Sequence, residues 1–331
     1  MKAFVRNFRA SFGPDMGGPM VALVAVLLIF GLAADNFLSM ATFGSVAFQL
    51  PELGLLTLAM LLPLLTGGIN LSITFAANLS GLAAAWVWQT HGGVDAPTSA
   101  FLFACLAALG TGAATGALTG VAIAYTRAHP ILVTLSMMIF LRGLGEFLTR
   151  GGDISGFPSY VGLIGHGSIF GLPVPLLIFL VCVATWHVLL TRSKLGFGLL
   201  MIGSNLEAAH YSGLNTRKIV VLVYTLSGIM CAIAGIIMLA RFNSVRVGHG
   251  ESYLLITVLA AFLGGINPFG GFGRVLPVFV ALIVLQLLSS GLNLMGANQH
   301  LATALWGVLM IVVMAARTLA SNSHIFRRKK A

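Results

Sequence analysis

Charge is what this chain lacks most. Asp, Glu, Lys and Arg make up only 8% of its 331 residues, and just eight of those residues are acidic. Soluble domains carry about 25% charged residues, so a water-exposed globular fold is excluded. Cysteine is scarce too. Cys105, Cys182 and Cys231 lie inside apolar runs at no motif spacing and read as small packing residues, not as disulfides or metal ligands. The eight histidines are scattered without paired ligand spacing, so no metal site is expected. No Gly-Lys dipeptide occurs anywhere, which excludes a Walker-type phosphate loop in this chain. No nucleophile-base or paired-metal constellation stands at recognisable spacing, so an intramembrane enzyme is not expected. No basic face with interleaved aromatics is present, so nucleic acid is not an expected partner.

What the chain has is apolar length. Hydrophobic residues reach 58% and the mean hydropathy is +1.00. A helix needs roughly 20 apolar residues to cross about 30 Å of hydrocarbon. Ten such runs are read, at 19–34, 43–65, 70–88, 100–124, 131–149, 169–190, 218–240, 253–266, 275–293 and 301–320. The eighth is short and Gly-rich at its end. A β-barrel is excluded because the runs lack two-residue alternation. The predicted fold is therefore an all-α integral membrane protein. It has a segment 1–18, a single transmembrane domain 19–320 interrupted by a loop at 191–217, and a basic tail 321–331. The basic residues orient it. With both termini in the cytoplasm, 14 Lys and Arg lie inside and three outside, namely Arg150, Arg241 and Arg246. The net charge of +10 then reflects orientation and contact with anionic lipid. The N-terminal pattern resembles a signal peptide, but the multi-span context predicts an uncleaved first span.

The 191–217 loop carries its own helix signals. Ser204 and Glu207 have the three-residue spacing of a capping box. Residues 206–211 have adequate helix propensity, and Gly213 suits a left-handed C-terminal residue. Leu206, Ala209, His210 and Gly213 are expected on one face. A helix this short is marginal in water, so it docks on a cytoplasmic partner, lies on lipid, or is merely a turn.

Five segments together resemble the permease subunits of bacterial sugar ABC importers of the ribose, xylose, arabinose, galactoside and rhamnose type, with autoinducer-2 permeases nearby. The segments are Gly203-Ser204-Asn205-Leu206-Glu207-Ala208-Ala209 with Ser212-Gly213-Leu214-Asn215, and Thr66-Gly67-Gly68-Ile69-Asn70-Leu71-Ser72. Next come His129-Pro130 through Leu135 with Arg142-Gly143, Leu263-Gly264-Gly265 with Gly270-Gly271-Phe272-Gly273, and Gly291-Leu292-Asn293-Leu294. Asn70 stands where the family usually has Asp, Leu254-Leu255-Ile256 lacks the usual acidic residues, and Ile266-Asn267-Pro268-Phe269 replaces a small polar run.

The resemblance implies a division of labour. A second permease subunit, identical or not, completes the pathway. Cytoplasmic ATP-binding subunits hold the ATP and Mg, while this chain binds no cofactor. A periplasmic solute-binding protein delivers the solute, and the assembly sits in the bacterial inner membrane. The loop helix becomes the coupling element, with Ser204, Asn205, Leu206, Glu207, Ala208, Ala209, Ser212 and Gly213 as ATPase-facing residues.

Six polar residues inside the runs are candidates for lining the route or for hydrogen-bonding between helices: Asn70, Ser72, Thr74, Asn78, Asn267 and Asn293. Arg142 and Glu146 stand four apart, spaced to form an ion pair near the outer face or a polar wall. Glu52 reads as a lone carboxyl in the second run. Gly112, Gly116 and Gly120 form a small-residue stripe for close helix packing, within the subunit or across a dimer. The expected function is an ATP-driven importer of a monosaccharide or similar small polar solute. The alternatives are a stand-alone ion-coupled transporter using Glu52 or the Arg142–Glu146 pair, and a permease for an autoinducer-2-like molecule or branched-chain amino acids.

Overall fold

The computed structural model describes residues 16–328 except residue 127, and its side-chain surroundings leave out 299–300 and 316–328. Lys2, Arg6, Arg9, Arg127, Lys329 and Lys330 of the orientation count lie outside the described residues, as do most of segment 1–18 and the end of the tail.

The described chain is a helical bundle. Its order is α1 (Gly17–Ala33), α2 (Met40–Leu65), α3 (Ile73–Thr90), a short 3-10 turn (Gly93–Asp95), α4 (Ser99–Thr126) and α5 (Pro130–Thr149). Then follow β1 (Ile154–Ser155), α6 (Ser159–His166), β2 (Ser168–Ile169), β3 (Leu172–Pro173), α7 (Val174–Arg192), α8 (Lys194–Ser204) and α9 (Leu206–Tyr211). The chain closes with α10 (Thr216–Phe242), β4 (Ser244–Val245), α11 (Tyr253–Leu263), α12 (Val275–Leu294) and α13 (Gln299–Arg328). Among the described residues, strands occur only as two-residue pairs, β1 with β4 and β2 with β3, both antiparallel.

Among the described residues, six helices are long and apolar enough to cross a bilayer: α2, α4, α5, α7, α10 and α12. Apolar helices of 10–17 residues cover 17–33, 194–204, 253–263 and 301–315. The run read at 169–190 starts differently: Ser168–Pro173 forms the β2–β3 hairpin, and α7 begins at Val174 with Pro175 in its first turn. The run at 253–266 ends as helix at Leu263, where Gly264 and Gly265 break it. Eleven helical residues span about 16 Å, half a bilayer.

The core is apolar, and so are the outer faces. The centre is α2 and α3, where nearly every residue from Leu50 to Leu65 and from Ile73 to Ala85 is buried. The peripheral helices expose large apolar side chains, among them Leu102, Phe103, Ile139, Phe140, Phe147 and Val181. Such faces suit lipid.

The glycine stripe packs inside the chain. A Cβ on Gly112 would meet the Gly228 carbonyl, one on Gly116 the Tyr224 carbonyl, and one on Gly120 would lie 2.8 Å from Val221 Cα. All three partners are on α10, so α4 and α10 approach backbone to backbone. The alternative of an intersubunit stripe is set aside by this packing.

Candidate functional site

Three features stand out: α9, the break between α2 and α3 that adjoins the glycine turn beneath α9, and a charged cavity lined from α5 and the 243–252 loop.

The α9 helix covers Leu206–Tyr211, as the sequence predicted, but it is capped differently. Ser204 is the last residue of α8, not a cap. Asn205 takes that role, its Oδ1 accepting from the Ala208 amide at 2.9 Å. Extended backbone at Asn205 (φ −161°, ψ 108°) separates the two helices. The Glu207 side chain does not complete a capping box in the hydrogen bonds of this turn. The C-terminus closes as expected: Gly213 has φ 81°, its amide donates to His210 O at 3.0 Å, and the Leu214 amide reaches Ala209 O at 3.3 Å. Ser212 Oγ donates to Ala208 O at 2.8 Å. The expected common face divides. Ala209 is fully buried against the bundle, while Leu206, Glu207, Ala208, His210, Tyr211, Ser212 and Gly213 point outward. Leu206 and Tyr211 are 55% and 88% exposed, two large side chains with nothing over them.

The base of α9 rests on a junction of glycines. The Gly271 amide donates to Leu65 O at 2.9 Å. A Cβ on Gly203 would strike both Leu65 O and the Gly271 amide, and one on Gly271 would sit 2.9 Å from Ser204 Cα. The end of α2, the end of α8 and the 264–273 turn therefore meet with their backbones in close approach. Asn267 shapes that turn: its Oδ1 accepts from the Phe269 amide at 3.1 Å and its own amide donates to Phe272 O at 3.0 Å.

The break between α2 and α3 is organised by hydrogen bonds that replace helical ones. Pro63 has no N–H for the Ala59 carbonyl. Ser227 Oγ on α10 donates to that carbonyl instead, at 2.7 Å. Ser227 also accepts from Asn70 Nδ2 at 3.0 Å, and Asn70 Oδ1 accepts from Ser72 N at 3.2 Å and Ser72 Oγ at 2.7 Å. Thr134 Oγ1 donates to Ile69 O at 2.9 Å, tying the break to α5. Non-helical backbone at membrane depth needs such internal partners. Asn70 and Ser72 are thus held within the chain. Thr74 and Asn78, one turn apart on α3, are buried, and Thr74 Oγ1 and Asn78 Nδ2 find no hydrogen-bond partner. Asn293 lies far from both, exposed near the end of α12, with its carbonyl accepting from the Gly296 amide at 3.0 Å.

At the charged cavity, Arg142 and Glu146 pair as the spacing predicted, Nε to Oε1 at 3.0 Å. Both are about half exposed (51% and 49%), so the pair is solvated and individually weak. Arg142 also reaches Glu251 at 3.4 Å, and its guanidinium lies 5.7 Å from the Phe75 ring centroid. Arg246 approaches Asp153 at 3.9 Å. Arg142, Glu146, Arg246 and Glu251, with Thr149 and Gly248, line a cavity of about 410 Å³. His249 in the same loop is held below the usual imidazole range by burial and by Arg246, with Asp153 opposing.

Glu52 is not a lone carboxyl. It is buried, and its Oε1 lies 2.9 Å from Arg241 Nη1 while Tyr253 Oη donates to Oε2 at 3.3 Å. Reading Glu52 by itself missed partners nearly 200 residues away in sequence. The eight-acid total was the available signal, because in so apolar a chain each buried acid calls for a cation. Glu251 was missed for the same reason.

The sequence matches a family described as "Branched-chain amino acid transport system / permease component" over residues 42–314. The chain belongs to this family. A ribose import permease protein of Escherichia coli (strain K12) is 32% identical over 300 residues, covering 89% of this chain and 91% of its own length. An autoinducer 2 import system permease protein of Yersinia enterocolitica serotype O:8 is 30% identical over 315 residues, covering 92% and 93%. Its counterpart from Photorhabdus temperata is 29% identical over 313 residues, covering 93% and 92%. No solved structure matches the chain. The matched region of this membrane permease runs from the start of α2 to the middle of α13, so α9, the glycine junction, the break and the charged cavity all lie inside it.

Proposed function

We propose that this permease forms half of the translocation pathway of an ATP-driven importer for a monosaccharide or a similar small polar solute. The observation that carries the reading is α9. It is a six-residue helix, too short to persist alone, fixed at its base by the glycine junction and presenting uncovered Leu206 and Tyr211 outward. A surface of this kind is completed by a partner. Similarity to ribose and autoinducer 2 import permeases over nine-tenths of the chain supports the solute class and the importer arrangement.

In this reading the α9 end is cytoplasmic and the charged cavity faces the periplasm. The chain crosses the inner membrane in ten passes with both termini inside. With the six long helices, α1, α3, α11 and the 301–315 helix make up the ten, α11 being helical over only about half the bilayer. A second permease subunit lines the other side of the route. ATP and Mg bind to separate ATP-binding subunits that grip α9, and the chain itself performs no chemistry. A periplasmic solute-binding protein delivers the solute to the cavity. Thr74 and Asn78 are the groups facing the route, since a passing hydroxyl satisfies donors and acceptors that the chain leaves unpaired. Asn70 and Ser72 keep the break in shape.

Glu207→Arg tests the coupling role. Uptake of labelled pentoses and hexoses should fall by at least tenfold while the variant inserts in the membrane at the normal level. Normal uptake by a well-inserted variant contradicts it.

A further inference from the structure

One continuous piece of chain, from Gly248 to Gly273, joins the charged cavity to the glycine junction under α9. Its centre is α11. At the cavity end it is held by two long side chains: Glu251 Oε1 lies 3.4 Å from Arg142 Nη1, and Tyr253 Oη donates to Glu52 Oε2 at 3.3 Å. Arg142 and Glu251 are half exposed, so water competes for their contact. At the α9 end the grip is of another kind. The Gly271 amide donates to Leu65 O at 2.9 Å. A Cβ on Gly270 would lie 2.5 Å from the Gly67 amide, and one on Gly264 would lie 2.5 Å from Val278 Cα. Gly271 abuts Ser204, the residue before the α9 cap.

The two ends differ in stiffness. Close-packed backbone does not yield by changing rotamer, and it passes a displacement on. Long, solvated ion pairs separate by side-chain rotation at little cost. The soft end of this segment is the one at the cavity of about 410 Å³. That volume falls in the range of small-molecule pockets, about 300–1,000 Å³.

We propose that α11 is the transmission element of the permease: displacement of α9 draws Glu251 away from Arg142, and this opens the charged cavity to solute, while the buried Tyr253–Glu52 contact stays as the pivot. Glu251 is a positioning residue in this scheme, which rests on the importer reading above.

The test uses Arg142→Cys with Glu251→Cys, in a chain whose Cys105, Cys182 and Cys231 are replaced by Ala. The permease is assembled with its ATP-binding subunit in proteoliposomes and treated with a short bifunctional thiol crosslinker. Crosslink yield is compared without nucleotide and with ATP plus vanadate. Arg142→Cys with Glu146→Cys, both on α5, serves as the fixed control. The expected result is at least a threefold fall in the 142–251 yield with nucleotide and no change in the 142–146 yield. An unchanged 142–251 yield, in a complex that still hydrolyses ATP, overturns the transmission role and leaves the importer reading intact. If the cysteine-free parent shows no ATP-driven uptake of any tested pentose or hexose, the importer reading fails and the transmission role fails with it.

Discussion

Ser227 Oγ donates, at 2.7 Å, to the Ala59 carbonyl that Pro63 leaves without its helical partner. The same hydroxyl accepts from Asn70 Nδ2 at 3.0 Å. One side chain on α10 thus satisfies both the kink in α2 and the break that follows it. Ser227→Ala orphans a buried acceptor and a buried amide donor together. A loss of about 1–3 kcal/mol is expected, read as a lower unfolding midpoint in detergent. Ser227→Thr, which keeps the hydroxyl, should lose less than half of that.

The Glu52–Arg241 pair gives a second prediction. The carboxylate is almost fully buried and the guanidinium largely so. Removing one partner strands a charge, which costs about 3–5 kcal/mol, whereas replacing both by apolar residues is often neutral. Glu52→Leu and Arg241→Leu should each sharply reduce the amount of folded permease. The double variant should recover most of it. A double variant as poor as the singles would point to a role for the charges beyond mutual neutralisation.

The α4–α10 contact has no room for side chains. Gly116→Val should prevent packing, because even a Cβ would meet the Tyr224 carbonyl. Gly110→Val, where nothing lies within 4 Å, should express as the natural sequence does. Comparing the monodisperse fraction in detergent separates the two.

Protonation of the 243–252 loop should matter in acid. His249 binds its proton less readily in the folded chain than in the unfolded one, because of burial and Arg246. The unfolded chain therefore takes up more protons as pH falls. The stabilisation is complete above the unfolded histidine value of about 6.5 and fades as pH drops from there toward the lower folded value. Unfolding midpoints at pH 5.5 and 7.5 should differ more for the natural sequence than for His249→Asn.

Much of this was legible in the residues. The apolar runs located six full-length spanning helices, because lipid demands length and low charge wherever a helix crosses. Gly213 marked the end of α9 because only a left-handed residue closes that turn. Arg142 and Glu146 declared themselves by a local four-residue step. What was hidden is long-range. Glu52 sits on α2, while Arg241 and Tyr253 flank a loop near the far end of the chain. No spacing rule connects them. The α9 cap moved from Ser204 to Asn205 because α8 extends through Ser204, and that boundary follows from Gly203 fitting between Leu65 and Gly271. The short hairpin at 168–173 was concealed by residues whose hydropathy is that of a helix.

On the proposed reading, this permease moves solute with energy taken from a nucleotide-binding partner through α9. The purified chain reconstituted in liposomes, with and without its ATP-binding subunit, puts this to the test. Accumulation of labelled sugar should require the subunit and ATP, and should be absent when an ion gradient alone is imposed. Accumulation by the chain alone, driven by a proton or sodium gradient, would contradict it.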